Sequence, residues 1–252
     1  KIGDQLTSDM TIDEAVDLIR GKKGTEVKLT ILHDKSEETQ EIKIIRDKID
    51  IKSVKFDFKE PDIAYIKLTK FGEDTALEFD NAVSRTVSQG SRGIILDLRN
   101  NPGGFLDKSV DIASRLIQKG ALVVTEEDNT GKKESLYTSG GDKLSSLPIV
   151  VLINEGSASA SEILAGALRD DRQTILIGKK SFGKGSVQEL IDLPGNSSIK
   201  ITIAKWLTPN GDYIMEKGIN PDVEVDLTLD DYNNKRDPQL DKAMEIIKEK
   251  IK

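Results

Sequence analysis

A serine-rich junction between a strand and a helix has the features of a nucleophile site. The predicted apolar strand 148–153 is followed by Asn154-Glu-Gly-Ser-Ala-Ser-Ala-Ser-Glu162, and a helix is predicted from 161 to 169. A serine at such a junction lies beside free backbone N–H groups and the positive end of the helix dipole, which stabilise an oxyanion. Ser159 is therefore a candidate nucleophile. Because Ser159-Ala-Ser-Glu162 also forms a capping box, this stretch alone favours helix capping.

A serine nucleophile needs a general base, and histidine is the usual one. The single histidine, His33, lies in a polar turn, so a Ser-His-Asp triad is not expected. Lys184 lies between glycines in Phe182-Gly-Lys-Gly185, where the backbone folds tightly. A lysine is a base near neutral pH only where burial lowers its pKa by about 3 units from about 10.4. The hypothesis requires a dry niche beside Ser159, whereas the local sequence alone favours an exposed loop lysine.

Other polar groups are expected to lie close to this pair. If 186–190 is extended, Lys184 and Gln188 share a face, and the Gln188 amide can orient the lysine amine. Asp170 ends the serine-bearing helix and either supports the site from behind or pairs with a neighbouring arginine. The loop Asn100-Asn-Pro-Gly-Gly104 follows another strand of the predicted sheet, where ligand sites gather. A glycine N–H there is a candidate oxyanion donor, although Pro-Gly is also a turn signature.

A competing interpretation is a phosphate-binding loop. The segment from Gly178 to Lys184 matches G-x-x-x-x-G-K. Residue 185 is Gly rather than the Ser or Thr that holds magnesium, and the following segment looks extended rather than helical. Nucleotide binding is therefore the second choice.

The elements that must position these residues follow two patterns. Residues 1–48 predict one helix, capped by Thr11, and two strands. From residue 49, strands and helices alternate, which predicts an α/β core with parallel strands. Strands are predicted at 63–68, 93–98, 148–153, 174–177 and 199–203, and helices at 73–89, 108–119, 161–169 and 237–252.

Composition excludes several classes of function. The 252 residues carry a net charge of −7 and show no basic run, which argues against a nucleic-acid partner. With no cysteine and one histidine, neither a Cys-based nor a His-rich metal site is expected. No stretch approaches the length of a membrane span.

Together the motifs resemble the carboxy-terminal-processing (tail-specific) serine peptidases. The matching stretches occur in family order at 97–104, 154–163, 165–170, 178–188, 207–211 and 218–222. The resemblance implies a mixed α/β protease core of the crotonase-like, tail-specific type over 49–252. It also implies endoproteolysis near protein C-termini through an acyl-enzyme, without a metal or other cofactor.

The resemblance further implies a role for individual residues. Ser159 matches the nucleophile, Lys184 the general base and Gln188 its partner. The N–H of Ala160 and that of Gly103 or Gly104 match the oxyanion donors. Other members of the family implicate the aspartate that corresponds to Asp170.

Residues 1–48 resemble the second half of a PDZ domain, which in this family gates the protease. The matching segment runs from Asp13 to Thr25, and Arg20 is a candidate contact between module and core. The first half of such a domain does not occur in this sequence. The resemblance implies peptide C-termini as partners, a possible homo-oligomer and an extracytoplasmic location. A non-catalytic PDZ-type adaptor is the third function considered.

Overall fold

The structure is a computed structural model that describes residues 1–8, 10–33, 38–48, 51–195 and 197–252, apart from the side chains of residues 190 and 200. The chain forms two compact units, Lys1–Ile51 and Lys52–Lys252. The division lies close to the boundary predicted after residue 48.

The first unit contains one helix and one strand pair. Helix α1 (Ile12–Ile19) is followed by the antiparallel strands β1 (Glu26–Leu32) and β2 (Thr39–Ile45). The predicted capping box is present, since the N–H of Thr11 donates to Glu14 at 2.8 Å. No residue of α1 is buried, and Ile12, on the predicted apolar face, is 83% exposed. The turn predicted after His33 lies at Asp34–Lys35, outside the described residues.

The second unit contains two sheets and five helices among its described residues. The strands are β3 (Val54–Glu60), β4 (Ile63–Leu68), β5 (Gly93–Asp97), β6 (Leu122–Asp128), β7 (Lys133–Tyr137), β8 (Ile149–Ile153), β9 (Ile175–Gly178), β10 (Ser186–Leu193), β11 (Ser197–Leu207) and β12 (Val223–Glu224). The helices are α2 (Thr75–Ser88), α3 (Leu106–Leu116), α4 (Ala160–Arg172), α5 (Leu229–Asn233) and α6 (Pro238–Lys250).

The larger sheet confirms the predicted α/β class. Its strand order is β12-β9-β8-β5-β4-β3, and every neighbouring pair is parallel except β3 with β4. Alternate side chains of β5 enter two cores. Ile94 and Leu96 pack in the core that contains α2, α3 and α4, whereas Ile95 packs in the core that contains α6. Helices therefore cover both faces, as expected for a buried parallel sheet.

The smaller sheet was not predicted as a separate layer. It is antiparallel, with the order β10-β11-β6-β7. The sequence predicted an extended segment at 186–190 and a strand at 199–203, and both are confirmed within longer strands. Strand β10 forms one edge of this sheet, and it begins two residues after Lys184.

Candidate active site

Ser159 lies in a sharp turn between β8 and α4. Strand β8 ends at Ile153, and α4 begins at Ala160, so Ser159 is the N-cap residue. Its φ of 57° and ψ of −120° are rare for a residue with a side chain. Such a conformation costs about 1–3 kcal/mol, and strain of this kind clusters at functional sites. Ser159 is 9% exposed, and the turn holds it at the start of the buried helix.

The Gly-Gly loop lies directly against this turn. A Cβ atom on Gly103 would be 2.7 Å from the Cβ of Ser159 and 2.7 Å from the carbonyl oxygen of Ala158. The φ of Gly103 is +97°, so both the close approach and the backbone conformation require glycine. The carboxyl ends of β5 and β8, which are adjacent parallel strands, thus bring the two predicted loops together.

The two glycines of the loop, Gly103 and Gly104, make different contacts. The N–H of Gly103 donates to Asn101 Oδ1 at 3.0 Å, and its carbonyl accepts from the N–H of Phe71 at 2.9 Å. A Cβ on Gly104 would lie 2.1 Å from the Phe71 carbonyl oxygen. Phe71 therefore holds the loop through backbone contacts to both glycines.

A pair of asparagines also joins the two loops. The N–H of Asn100 donates to Asn154 Oδ1 at 2.8 Å, and Asn154 Nδ2 donates to Asn100 Oδ1 at 3.0 Å. Asn100 has a φ of 58°, a left-handed conformation that asparagine tolerates better than most residues. This reciprocal contact fixes the distance between the ends of β5 and β8.

Glu162 connects the serine turn to the lysine loop. Its Oε2 accepts from the N–H of Ser159 at 2.9 Å and from the N–H of Lys184 at 2.9 Å. Its Oε1 accepts from the Ser181 hydroxyl at 2.5 Å and from the N–H of Gly183 at 2.7 Å. The carboxylate is fully buried, with four hydrogen bonds that satisfy it. The backbones of Ser159 and Lys184 are thus less than two hydrogen-bond lengths apart.

The side chain of Lys184 is exposed, so the expectation of a dry niche is wrong for this structure. The backbone beside it packs against the segment at 214–216, because a Cβ on Gly185 would lie 2.1 Å from the N atom of Met215. The backbone is therefore fixed while the amine reaches solvent, and it has no hydrogen bond or ion pair with another described residue. Gln188 is exposed on β10, opposite Thr202.

Asp170 is a buried carboxylate whose hydrogen-bond partners include neither Ser159 nor Lys184. Its side chain is 1% exposed; Oδ1 accepts from Arg169 Nε at 3.0 Å, and Oδ2 accepts from the N–H of Asn210 at 3.0 Å. It therefore pairs with a neighbouring arginine and anchors the loop at 207–211. Arg20 is exposed at the end of α1 in the first unit, where its proposed contact with the core stays a prediction.

A buried ion network supports the end of β5 just before the Gly-Gly loop. Arg99 donates to both oxygens of Asp97, at 3.0 and 2.8 Å, and to both oxygens of Asp237, at 2.8 and 2.9 Å. Burial acts to raise the pKa of Asp237, but hydrogen bonds and charge from Arg99 outweigh it, so this pKa lies below its ordinary value. Burial and the charge of Asp97 raise the pKa of Tyr65, whose hydroxyl donates to Asp97 at 2.5 Å.

Among the described residues, no group of three or more His, Cys, Asp or Glu side chains is arranged to hold a metal ion. Within the same residues, no helix has the length and apolar composition needed to cross a membrane.

Comparison with known proteins identifies the family. The family model described as peptidase family S41 matches residues 62–225, which is most of the second unit. The chain belongs to peptidase family S41. The resemblance to carboxy-terminal-processing serine peptidases is thereby confirmed.

Several curated relatives of this S41 chain carry matching names. The carboxy-terminal processing protease CtpA of Bacillus subtilis is 40% identical over 227 residues, which are 90% of this chain and 48% of that protein. The carboxy-terminal-processing protease of Bartonella bacilliformis is 41% identical over 233 residues, or 91% of this chain and 54% of that protein. This chain spans about half the length of both relatives.

The fold of the S41 chain matches a solved protease. The photosystem II D1 C-terminal processing protease has a TM-score of 0.75 and 30% sequence identity, covering 90% of this chain and 62% of that one. A putative S41 protease from Bacteroides fragilis, at a TM-score of 0.67 and 17% identity, covers 98% of this chain and 72% of that one and shares the fold.

Proposed function

We propose that this S41 chain is the proteolytic part of a serine endopeptidase that cleaves proteins near their C-termini through a Ser159–Lys184 dyad. The observation that carries the proposal is the bridge made by Glu162. One carboxylate oxygen accepts the backbone N–H groups of both residues, so a serine and a lysine 25 positions apart share one site. Residues 52–252, which carry Ser159, contain no histidine, and this supports lysine as the base.

The proposed chemistry is acyl transfer. Neutral Lys184 accepts the proton of the Ser159 hydroxyl as the oxygen attacks the scissile carbonyl. The lysine then donates this proton to the leaving amine, and water hydrolyses the acyl-enzyme. Ala160, at the first position of α4, supplies one oxyanion donor. We assign the second to Gly104, because the N–H of Gly103 already donates to Asn101.

Because the Lys184 side chain is exposed, the proposal requires the bound substrate to shield it from water. Strand β10 is an edge strand, and an extended peptide can add to such an edge through backbone hydrogen bonds. A peptide in this position covers the lysine side chain, removes water from the amine and favours its neutral form. Gln188, two residues into the same strand, then orients the amine.

The regulatory part of the proposal rests on the resemblance of residues 1–48 to a PDZ domain. In this proposal the module gates the protease, and Arg20 couples the two. Unchanged peptidase kinetics in Arg20→Ala would remove that residue from the proposal. The proposal also includes assembly into a homo-oligomer and an extracytoplasmic location.

Digestion of an unstructured peptide tests the dyad. Wild type should release C-terminal fragments, whereas Ser159→Ala and Lys184→Ala should each lower kcat by at least about 10³-fold. Lys180→Ala, at an exposed lysine of the same loop, is the matched control and should retain activity. Equal cleavage by all four proteins would end the proposed mechanism.

A further inference from the structure

We infer that Ser157 and Ser161, the two serines that flank Ser159, are positioning residues that fix the Gly-Gly loop beside the nucleophile. The inference rests on the proposed function, because it takes Ser159 as the attacking group. It gives a task to residues that the proposed dyad does not use. Both side chains are fully buried, at 0% exposure.

Ser157 ties the serine turn to the end of β5. Its hydroxyl donates to the carbonyl oxygen of Leu98 at 2.8 Å, and it accepts from the N–H of Asn154 at 3.0 Å. Both hydrogen-bonding roles of the hydroxyl are therefore used. Leu98 is the residue after β5, so the contact is made where the chain enters the Gly-Gly loop.

Ser161 ties the first turn of α4 to the middle of the same loop. Its hydroxyl donates to the carbonyl oxygen of Asn101 at 2.9 Å, and that oxygen also accepts from the N–H of Ala158 at 3.0 Å. The side chain of Asn101 in turn accepts from the N–H of Gly103 at 3.0 Å. The helix that carries Ala160 is thus linked to the glycine segment through a single asparagine.

These contacts set the relative position of the two oxyanion donors. Ala160 is on the helix, and Gly104 is on the loop. The loop is also held by Phe71, whose backbone N–H donates to the Gly103 carbonyl at 2.9 Å. Without the serine hydroxyls, the loop keeps its Phe71 contacts but loses one link to the serine turn and one link to the helix. A shift of about 1 Å between catalytic groups costs on the order of 100-fold in rate.

Serine-to-alanine variants of the whole 252-residue chain test the inference. Ser157→Ala and Ser161→Ala should each lower kcat by at least about tenfold while KM stays within about twofold, because an oxyanion donor acts in the transition state. Ser114→Ala is the matched control. The Ser114 hydroxyl is equally buried, donates to the Val110 carbonyl at 2.8 Å and accepts from the N–H of Ser139 at 3.0 Å, as Ser157 does with its own partners.

A peptidyl boronic acid gives a second readout, which a merely structural role would not move. Its tetrahedral adduct with the nucleophile places an oxygen between the two donors, so its Ki should rise by the factor by which kcat falls. Urea unfolding of each variant confirms that the assays use folded protein. If either alanine variant does not fold, the corresponding Ser→Cys variant, which keeps a weak donor, is measured instead.

The outcomes separate this inference from the proposed function. Loss of kcat and a matching rise in boronate Ki in Ser157→Ala and Ser161→Ala, with Ser114→Ala unchanged, would support it. If both variants behaved like Ser114→Ala while Ser159→Ala was inactive, the inference would be overturned and the dyad would stand. Full activity of Ser159→Ala would overturn both.

Discussion

Replacing Glu162 with glutamine removes one acceptor from the junction between the serine turn and the lysine loop. Each carboxylate oxygen accepts two donors, so the new amide NH2 group must face two hydrogen-bond donors in either orientation. The better orientation places the NH2 group at the former Oε1, because a hydroxyl can turn to accept and the Ser181 hydroxyl lies there. The N–H of Gly183 then loses its acceptor.

The cost follows from these contacts. A buried N–H without an acceptor costs about 1–3 kcal/mol. The N–H groups of Ser159 and Lys184 keep an oxygen, but a neutral acceptor forms bonds about half as strong as a charged one. Removing the buried charge also removes its desolvation cost, which offsets part of the loss. We expect Glu162→Gln to lower the free energy of unfolding by about 2 kcal/mol, or about 4–8 °C in Tm. The kcat should stay within about tenfold, because both backbones remain joined.

Urea unfolding followed by tryptophan fluorescence measures this change. The single tryptophan, Trp206, is 8% exposed, and its backbone N–H donates to the carbonyl of Gly185 at 2.9 Å, so it reports on the lysine loop. Glu155→Gln makes the same chemical change at an exposed position of the same turn, and its effect should be within about 0.5 kcal/mol. If Glu162→Gln were as stable as Glu155→Gln, Glu162 would not be the junction described.

Two other predictions concern the Gly-Gly loop and the ion network behind it. Gly103→Ala should lower kcat by at least about 100-fold, since its Cβ would displace Ser159; Gly131→Ala, also at positive φ but with open space around it, should keep wild-type kinetics. Asp237→Asn should be less stable than wild type at pH 7. The pKa of Asp237 is lower in the folded protein than in the unfolded chain, so its carboxylate stabilises the fold above the unfolded-state pKa. This stabilisation is lost as the pH falls through the folded-state pKa. The urea midpoints of wild type and Asp237→Asn should converge between about pH 5 and pH 2. A difference that stayed constant over this range would contradict the stabilisation of the Asp237 carboxylate by Arg99.

The sequence predicted the elements whose side-chain pattern is decided by deep burial. Strands β5 and β8 are buried along their whole length and read as continuous apolar runs. Strand β3, with the sequence Val-Lys-Phe-Asp-Phe-Lys-Glu, was missed although it alternates, because every second residue is charged and exposed. Strand β6 turns acidic after three apolar residues. Strand β3 forms a hairpin with the next strand, β4, whereas β6 pairs with β7 and also with β11, a distant partner that a local pattern does not contain.

The candidate site shows the same division between local and distant information. The sequence located Ser159 and the Gly-Gly loop at the ends of two buried strands, and adjacent parallel strands bring such ends together. The exposure of Lys184 agrees with its local sequence, which favoured a loop lysine, rather than with the dry niche that the dyad hypothesis required. Glu162 was recognised only as a capping residue, since two of its four donors lie more than 20 positions away.

Capping and nucleophilic attack, which the sequence presented as alternatives for Ser159, are compatible in the folded chain. The N–H of Glu162, the usual donor to a capping hydroxyl, donates to the Ser159 carbonyl oxygen at 2.8 Å. The Glu162 carboxylate in turn caps the N–H of Ser159. The backbone carbonyl and the carboxylate thereby supply partners for both N–H groups, so the start of the helix does not depend on the serine hydroxyl alone. A helix start satisfied in this way is what a nucleophilic serine at an N-cap requires, because an oxygen engaged in capping is a poorer nucleophile.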